Sequence, residues 1–109
     1  ICANDAENYP EDSFENMIKF SKNNQFSFPY VYDESQETGR EYDAVCTPDF
    51  FGFNSNNELQ YRGRLESSQQ ELVPNAKKEL LEAMLQVAKN GQGPQEQIPS
   101  IGCSIKWKT

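Results

Sequence analysis

The order of elements legible in this chain predicts a layered α/β domain with a mixed sheet. Three observations predict it. Apolar residues recur at helical spacing in two separate stretches, Phe14 to Phe20 and Leu80 to Ala88. A clean two-residue alternation runs from Leu59 to Leu65, just after a short aromatic run and a polar turn. Helical segments stand between the earlier strand candidates, as crossover connections would. The expected order is strand stub, helix, strand, helix, strand, strand, helix and tail. Residues 1–91 are expected to form the domain and residues 92–109 an extended tail packed over it.

Each element has a local cause. Ile1-Cys2-Ala3 reads as the end of a strand, broken by Asn4 and Asp5. Asn8-Tyr9-Pro10-Glu11 is a loop, because proline disfavours helix at the residue before it. Asp12 is the expected helix cap, with Glu15 three positions on as its capping-box partner. Phe14, Met17, Ile18 and Phe20 then form a stripe, and Asn23-Asn24 ends the helix. Phe26 to Tyr32 reads as a short aromatic strand interrupted by Pro29. Asp33 to Tyr42 reads as a short helix, capped by Asp33 or Ser35 and weakened by Gly39. Asp49 to Phe53 is a strand, Asn54 to Asn57 a turn, and the strand from Leu59 completes an antiparallel hairpin. Leu59, Tyr61, Gly63 and Leu65 share one face; Gln60, Arg62 and Arg64 share the other. Ser67 to Glu71 is a polar connector. Asn75 is the expected cap of a long helix with Leu80, Leu81, Met84, Leu85 and Ala88 on one face. Asn90-Gly91 stops that helix, and Gly93-Pro94 reinforces the stop.

Composition narrows the function. The chain has 109 residues, enough for one domain. Its apolar share is 36% and its mean hydropathy −0.84, a thin supply of core. No apolar run approaches the roughly 20 residues of a membrane span, and no signal-peptide pattern is present. The absence of histidine removes the commonest general base, the commonest metal ligand and every Ser-His or Cys-His pair. A net charge of −7 is a poor footprint for nucleic-acid binding. Residues 1–60 carry twelve acidic and three basic side chains, read as a solvated face. Three distant cysteines, Cys2, Cys46 and Cys103, make neither a disulfide framework nor a zinc spacing, so no metal is expected. A buried, inert thiol is the default expectation for each. The chain starts at Ile1 without a methionine, and a fragment or processed product with its first element cut short is expected.

The stretch Ala44-Val45-Cys46-Thr47-Pro48-Asp49-Phe50-Phe51 is the most informative. A proline directly before a strand cannot donate to a ladder and often sits in a cis turn. That turn would expose the Thr47 backbone at a sheet end, where an extended peptide or thiol substrate can pair. A plain structural proline explains the same spacing. Elsewhere, Arg62 and Arg64 share a strand face and could hold an anion, though an exposed pair balancing the acidic half fits better. Trp107, between Lys106 and Lys108, fits a cap on the body better than a partner anchor. The aromatics Phe14, Phe20, Phe50, Phe51, Phe53 and Tyr61 are expected in the core.

Val45 to Phe51 resembles the cis-proline loop and following strand of thioredoxin-fold proteins. The ending Pro99-Ser100-Ile101-Gly102-Cys103-Ser104-Ile105-Lys106-Trp107-Lys108 is similar to the tail of one bacterial branch. That branch is the thioredoxin-like, peroxiredoxin-like family of the alkyl hydroperoxide reductase/thiol-specific antioxidant type. The segment NDAENYPEDSFE (4–15), Phe28-Pro29-Tyr30, Tyr32-Asp33-Glu34 and Tyr61-Arg62-Gly63-Arg64 fit the same branch in the same order.

The resemblance implies a thioredoxin-like three-layer sandwich, N-terminally truncated. It implies cysteine thiolate chemistry on a peroxide or disulfide, with no metal or organic cofactor and a thioredoxin-type protein as reductant. The family's reactive cysteine opens the first helix, where helix amides stabilise a thiolate, and none of the three cysteines matches that position. It is therefore expected in a missing N-terminal segment. Thr47 and Pro48 match the substrate-binding loop. Cys46 would lie close to the site, with inward packing equally open, and Cys103 could form a disulfide with the reactive cysteine. Cys2 is expected in a strand facing the core. The missing strand would lie between the stub and the Tyr30 strand, leaving an edge open to homodimerisation or strand exchange. The alternative function is a non-catalytic interaction module. No nucleic acid and no membrane are expected as partners, and unpaired cysteines point to the cytoplasm.

Overall fold

The computed structural model of the chain describes residues 1–68 and 74–109. Among these the protein is mixed α/β: a 3-10 turn Pro10–Asp12, helices α1 (Phe14–Asn23), α2 (Glu37–Glu41) and α3 (Glu79–Asn90), and strands β1 (Cys46–Thr47), β2 (Phe50–Phe53), β3 (Leu59–Gly63) and β4 (Cys103–Ser104). The expected single mixed sheet is replaced by two small antiparallel ones, β1 with β4 and β2 with β3, plus one parallel bridge between Cys2 and Tyr32. Pro48, without an N–H, separates β1 from β2 and stops a continuous ladder. The chain divides into two compact units, 1–44 with 105–109, and 45–104.

In the first unit the stub pairs directly with the Tyr32 segment. The Cys2 amide donates to Val31 O at 2.9 Å, and the Asp33 amide donates to Cys2 O at 2.9 Å. This corrects the expectation of a missing strand between the stub and the Tyr30 segment, since no strand fits between partners already bonded. The strand expected over Phe26 to Tyr32 shrinks to the Tyr32 bridge. Its aromatic rings instead pack on one another: Phe26 stacks on Phe28 at 4.5 Å and meets Tyr30 at 5.3 Å and Phe20 at 5.5 Å, both edge-on. Ser13, not Asp12, caps α1, its hydroxyl accepting from the Asn16 amide at 3.2 Å. Asp12 lies in the 3-10 turn and accepts from Asn4 Nδ2. Of the α1 stripe only Met17 is buried, while Phe14, Ile18 and Phe20 are exposed.

Buried polar groups hold this unit's ends together. Gln36, 2% exposed, donates from Nε2 to Ala3 O and Lys106 O and accepts from the Lys108 amide at Oε1. The Asp5 amide donates to Lys106 O at 2.7 Å. The Asn8 side chain, donating to Asp5 Oδ2 at 2.6 Å, holds the Asp5 carboxyl below the ordinary carboxylate range. Gln36 occupies the α2 cap position, yet both expected side chains serve that helix start: Asp33 accepts from the Thr38 and Gly39 amides, and Ser35 from Glu37. Gly39 is a point of close approach, since an added Cβ would lie 3.2 Å from Trp107 Cη2. Arg40 stacks over that indole at 4.3 Å, so Trp107 caps the first unit.

In the second unit β2 and β3 form the expected hairpin, with Phe50 opposite Gly63 and Gly52 opposite Tyr61, and a bulge between Gly52 and Phe53. Asn54 organises the turn, its Oδ1 accepting from the Asn56 and Glu58 amides. Tyr61 and Gly63 are buried as expected, but Leu59 and Leu65 are about half exposed. Phe50 and Phe51 are half-buried and Phe53 is exposed. The α3 register also differs from expectation. Ala83 and Val87 are buried, whereas Leu81 and Leu85 are exposed, because α3 turns its 83/87 side to β2 and β3. No side chain caps α3, and Asn75 sits in a left-handed turn before it. Gly91, at φ +79°, ends it as expected. Residues 69–71 of the expected polar connector lie outside the described residues.

The two arginines are not an anion site. Arg64 binds Glu79 through both Nε (2.9 Å) and Nη2 (2.6 Å), and Arg62 pairs with Asp49 at 3.5 Å. Tyr61, 1% exposed, donates its hydroxyl to Arg64 O at 2.6 Å. Replacing Tyr61 by Ala is expected to cost about 3–5 kcal/mol of folding stability, the range for deleting a buried aromatic. Tyr61→Phe, which loses only that hydrogen bond, is expected to cost about 1 kcal/mol. Denaturant titrations of the three proteins check both values.

Candidate functional site

Four residues singled out from the sequence come together in the second unit. The Thr47-Pro48 peptide is cis, as the proline's position suggested. Immediately before it, β1 pairs antiparallel with β4, placing Cys46 opposite Ser104 and Thr47 opposite Cys103. The Thr47 hydroxyl donates to Cys103 O at 3.3 Å. One short ribbon thus carries Cys46, Thr47, Pro48 and Cys103.

The register decides how the two thiols can act. Neighbouring residues on a strand point to opposite faces, and residues opposite one another share a face. Cys103 therefore shares the face of Thr47, and Cys46 takes the other. Burial agrees: Cys103 is exposed and Cys46 buried. The Cys46 thiol points at Ser100 O (3.6 Å) and Pro48 O (3.8 Å). Burial pushes its pKa up and the Asp49 carboxylate adds to the rise, only partly opposed by Arg62. A thiol held protonated in this way is a poor nucleophile at neutral pH. Of the two expected thiols, the geometry leaves Cys103 as the one open to a partner. Cys2, half-buried, lies in the first unit and is not part of this ribbon.

Sequence reasoning missed Ser100 and Gly102. Ser100 donates its hydroxyl to Gly63 O at 2.7 Å while its carbonyl receives the Cys46 thiol. Gly102 lies against the Thr47 backbone so closely that an added Cβ would overlap the Thr47 carbonyl oxygen. The signal was a glycine inside the alternation Ile101, Cys103, Ile105, a placement that marks a bend, a bulge or a close backbone approach. Among the described residues no group of three or more Cys, Asp or Glu side chains could hold a metal ion, and no helix is long and apolar enough to cross a membrane.

Thiol alkylation followed residue by residue is expected to label Cys103 at neutral pH at least roughly tenfold faster than Cys46, in line with the burial and raised pKa of Cys46. Cys46 labelling should rise only as pH climbs beyond the ordinary thiol range of about 8.5. Equal rates at pH 7 would contradict the burial of Cys46.

No protein-family model matches the chain, and no curated protein does. Among solved structures similar to it are two crystal structures. One is of an uncharacterized conserved protein from Geobacillus kaustophilus, 48% identical with a TM-score of 0.86, matched over 97% of this chain and 57% of that one. The other is of a hypothetical protein from Sinorhizobium meliloti 1021, 34% identical with a TM-score of 0.86, matched over 97% of this chain and 58% of that one. The chain thus spans somewhat over half the length of each, and at this identity shares their architecture across almost all of its residues.

Proposed function

We propose that the chain is the C-terminal portion of a thioredoxin-like thiol oxidoreductase of the alkyl hydroperoxide reductase/thiol-specific antioxidant type, with Cys103 as its resolving thiol. One observation carries the reading: an exposed cysteine paired across from the Thr47-Pro48 loop, on the face opposite a buried one. The motif resemblance supports it, as does the greater length of both similar proteins, which leaves room for a separate reactive cysteine.

The chemistry follows in three steps. A reactive cysteine thiolate on a segment preceding Ile1 attacks the terminal oxygen of a hydroperoxide. The O–O bond breaks, the alkoxide or hydroxide leaves and takes a proton, and the cysteine becomes a sulfenic acid. The Cys103 thiol then attacks that sulfur, forming a disulfide and releasing water. A dithiol protein of the thioredoxin type attacks the disulfide, returning two thiols and leaving oxidised itself. No metal or organic cofactor enters this sequence. Thr47 and Pro48 form the wall beside the reacting sulfurs, and Cys46, protonated, packs beneath it. Recycling of this kind belongs in a reducing compartment, which the reading takes as the cytoplasm.

The second reading is a non-catalytic interaction module. It is favoured by the exposed apolar pairs Phe14 and Ile18 on α1, and Leu81 and Leu85 on α3. Cys103→Ser in the protein from its own source separates the two. Under the redox reading the first turnover of peroxide persists, while recycling by a dithiol protein falls at least roughly tenfold, because the sulfenic acid has no internal partner. Unchanged turnover and recycling would remove Cys103 from the chemistry.

A further inference from the structure

Ser100 is held from two sides. Its hydroxyl donates to Gly63 O on β3 at 2.7 Å, and its carbonyl accepts the Cys46 thiol of β1 at 3.6 Å. It thereby ties the β2–β3 hairpin to the β1–β4 ribbon within the second unit. Cys103 follows three residues later, and the path to it is closely confined. Upstream, the Arg64 amide donates to Ile98 O at 3.0 Å. Downstream, Gly102 lies on the Thr47 carbonyl, and the Thr47 hydroxyl donates to Cys103 O. β1 and β4 have two residues each, and so short a two-stranded ladder is marginal by itself. The direction in which Cys103 presents its sulfur therefore depends on how the chain is fastened just before it.

Cys46 takes no part in the redox steps above, yet its sulfur points at two carbonyls, Ser100 O and, at 3.8 Å, Pro48 O. A thiol donates only while it carries its proton, and burial keeps this one protonated. An ionised sulfur there would face two carbonyl oxygens with no proton to share. We propose that Ser100 is the positioning residue of Cys103, and that Cys46 serves the site as a hydrogen-bond donor holding Ser100 in place. This rests on the redox reading above and gives a role to the thiol which that reading leaves unused. No covalent bond is made or broken at Cys46; its S–H bridges the segment carrying Cys103 to the Thr47-Pro48 loop.

The test gives the protein from its own source one equivalent of hydrogen peroxide without reductant, and follows two steps separately. These are the consumption of peroxide and the formation of the Cys103 disulfide. Ser100→Ala is expected to leave the first within about twofold and to slow the second by roughly five- to tenfold, the worth of one hydrogen bond. Ser100→Thr keeps the hydroxyl and is expected to restore disulfide formation to within about twofold. Ser100→Thr no faster than Ser100→Ala overturns the positioning role. Cys46→Ser keeps a donor and is expected to match the unaltered protein, while Cys46→Val, of similar size without one, falls roughly threefold. Equal rates in these two variants overturn the donor role. If the unaltered protein forms no Cys103 disulfide, the redox reading fails, and the fastening is judged by amide hydrogen exchange in β1 and β4. Exchange there is expected to quicken roughly fivefold in Ser100→Ala, and to return in Ser100→Thr, with circular dichroism unchanged; unchanged exchange overturns it. Should Ser100→Ala not fold, Cys46→Ser and Cys46→Val carry both readouts.

Discussion

Alternate residues of a strand face opposite ways, and at Cys46-Thr47 that rule separates two thiols carried on one short ribbon. Thr47 opposite Cys103 puts one sulfur outside; Cys46 opposite Ser104 puts the other inside. A shift of one residue in this register would exchange the faces of Cys103 and Ser104, bringing both sulfurs to one side of the ribbon. The packing of Gly102 on Thr47 opposes such a shift, since the next residue in either direction carries a side chain. The placement of the two thiols thus depends on a short ladder and one glycine.

Within each unit, side-chain amides supplement a small apolar core. The buried apolar set is small, with Met17, Cys46, Tyr61, Ala83, Val87 and Ile105 among the described residues. Side-chain amides take over the long-range fastening. Gln36 ties residues 3, 106 and 108 in the first unit, and Gln97 ties strand β3 to the segment around Pro94 in the second. Amides that satisfy both donor and acceptor, buried at Gln36 and half-buried at Gln97, cost little and hold the backbone in one register. The arginines complete the pattern, spending their charge on Glu79 and Asp49 rather than on a ligand.

The sequence made the local signals readable and the long-range ones obscure. The hairpin, the Asn54 turn, the Gly91 stop and the cis proline all follow from two to four adjacent residues, and all are present. On α3 the expected Leu80 and Met84 are half-buried and Met84 lies on Gly52 of β2, but the face is completed by Ala83 and Val87 rather than by Leu81 and Leu85, because only the helix's rotation against the hairpin decides which flank of an apolar stripe is covered. Phe26 to Tyr32 has strand composition, but ring stacking among Phe20, Phe26, Phe28 and Tyr30 competes with a ladder that Pro29 interrupts. Within the site, Cys46, Thr47, Pro48 and Cys103 were legible as candidates. Their pairing, some fifty-six positions apart, was not, because nothing local encodes which strand a two-residue segment will choose.

Under the proposed function, Cys103 resolves an oxidised cysteine on a segment that precedes Ile1. The most direct measurement is disulfide mapping by mass spectrometry on the protein from its own source, exposed to hydrogen peroxide without reductant. The account predicts a new disulfide joining Cys103 to a cysteine that precedes Ile1, with Cys46 still a free thiol. Cys103 found free after peroxide has been consumed, or a disulfide formed between Cys46 and Cys103, would contradict it.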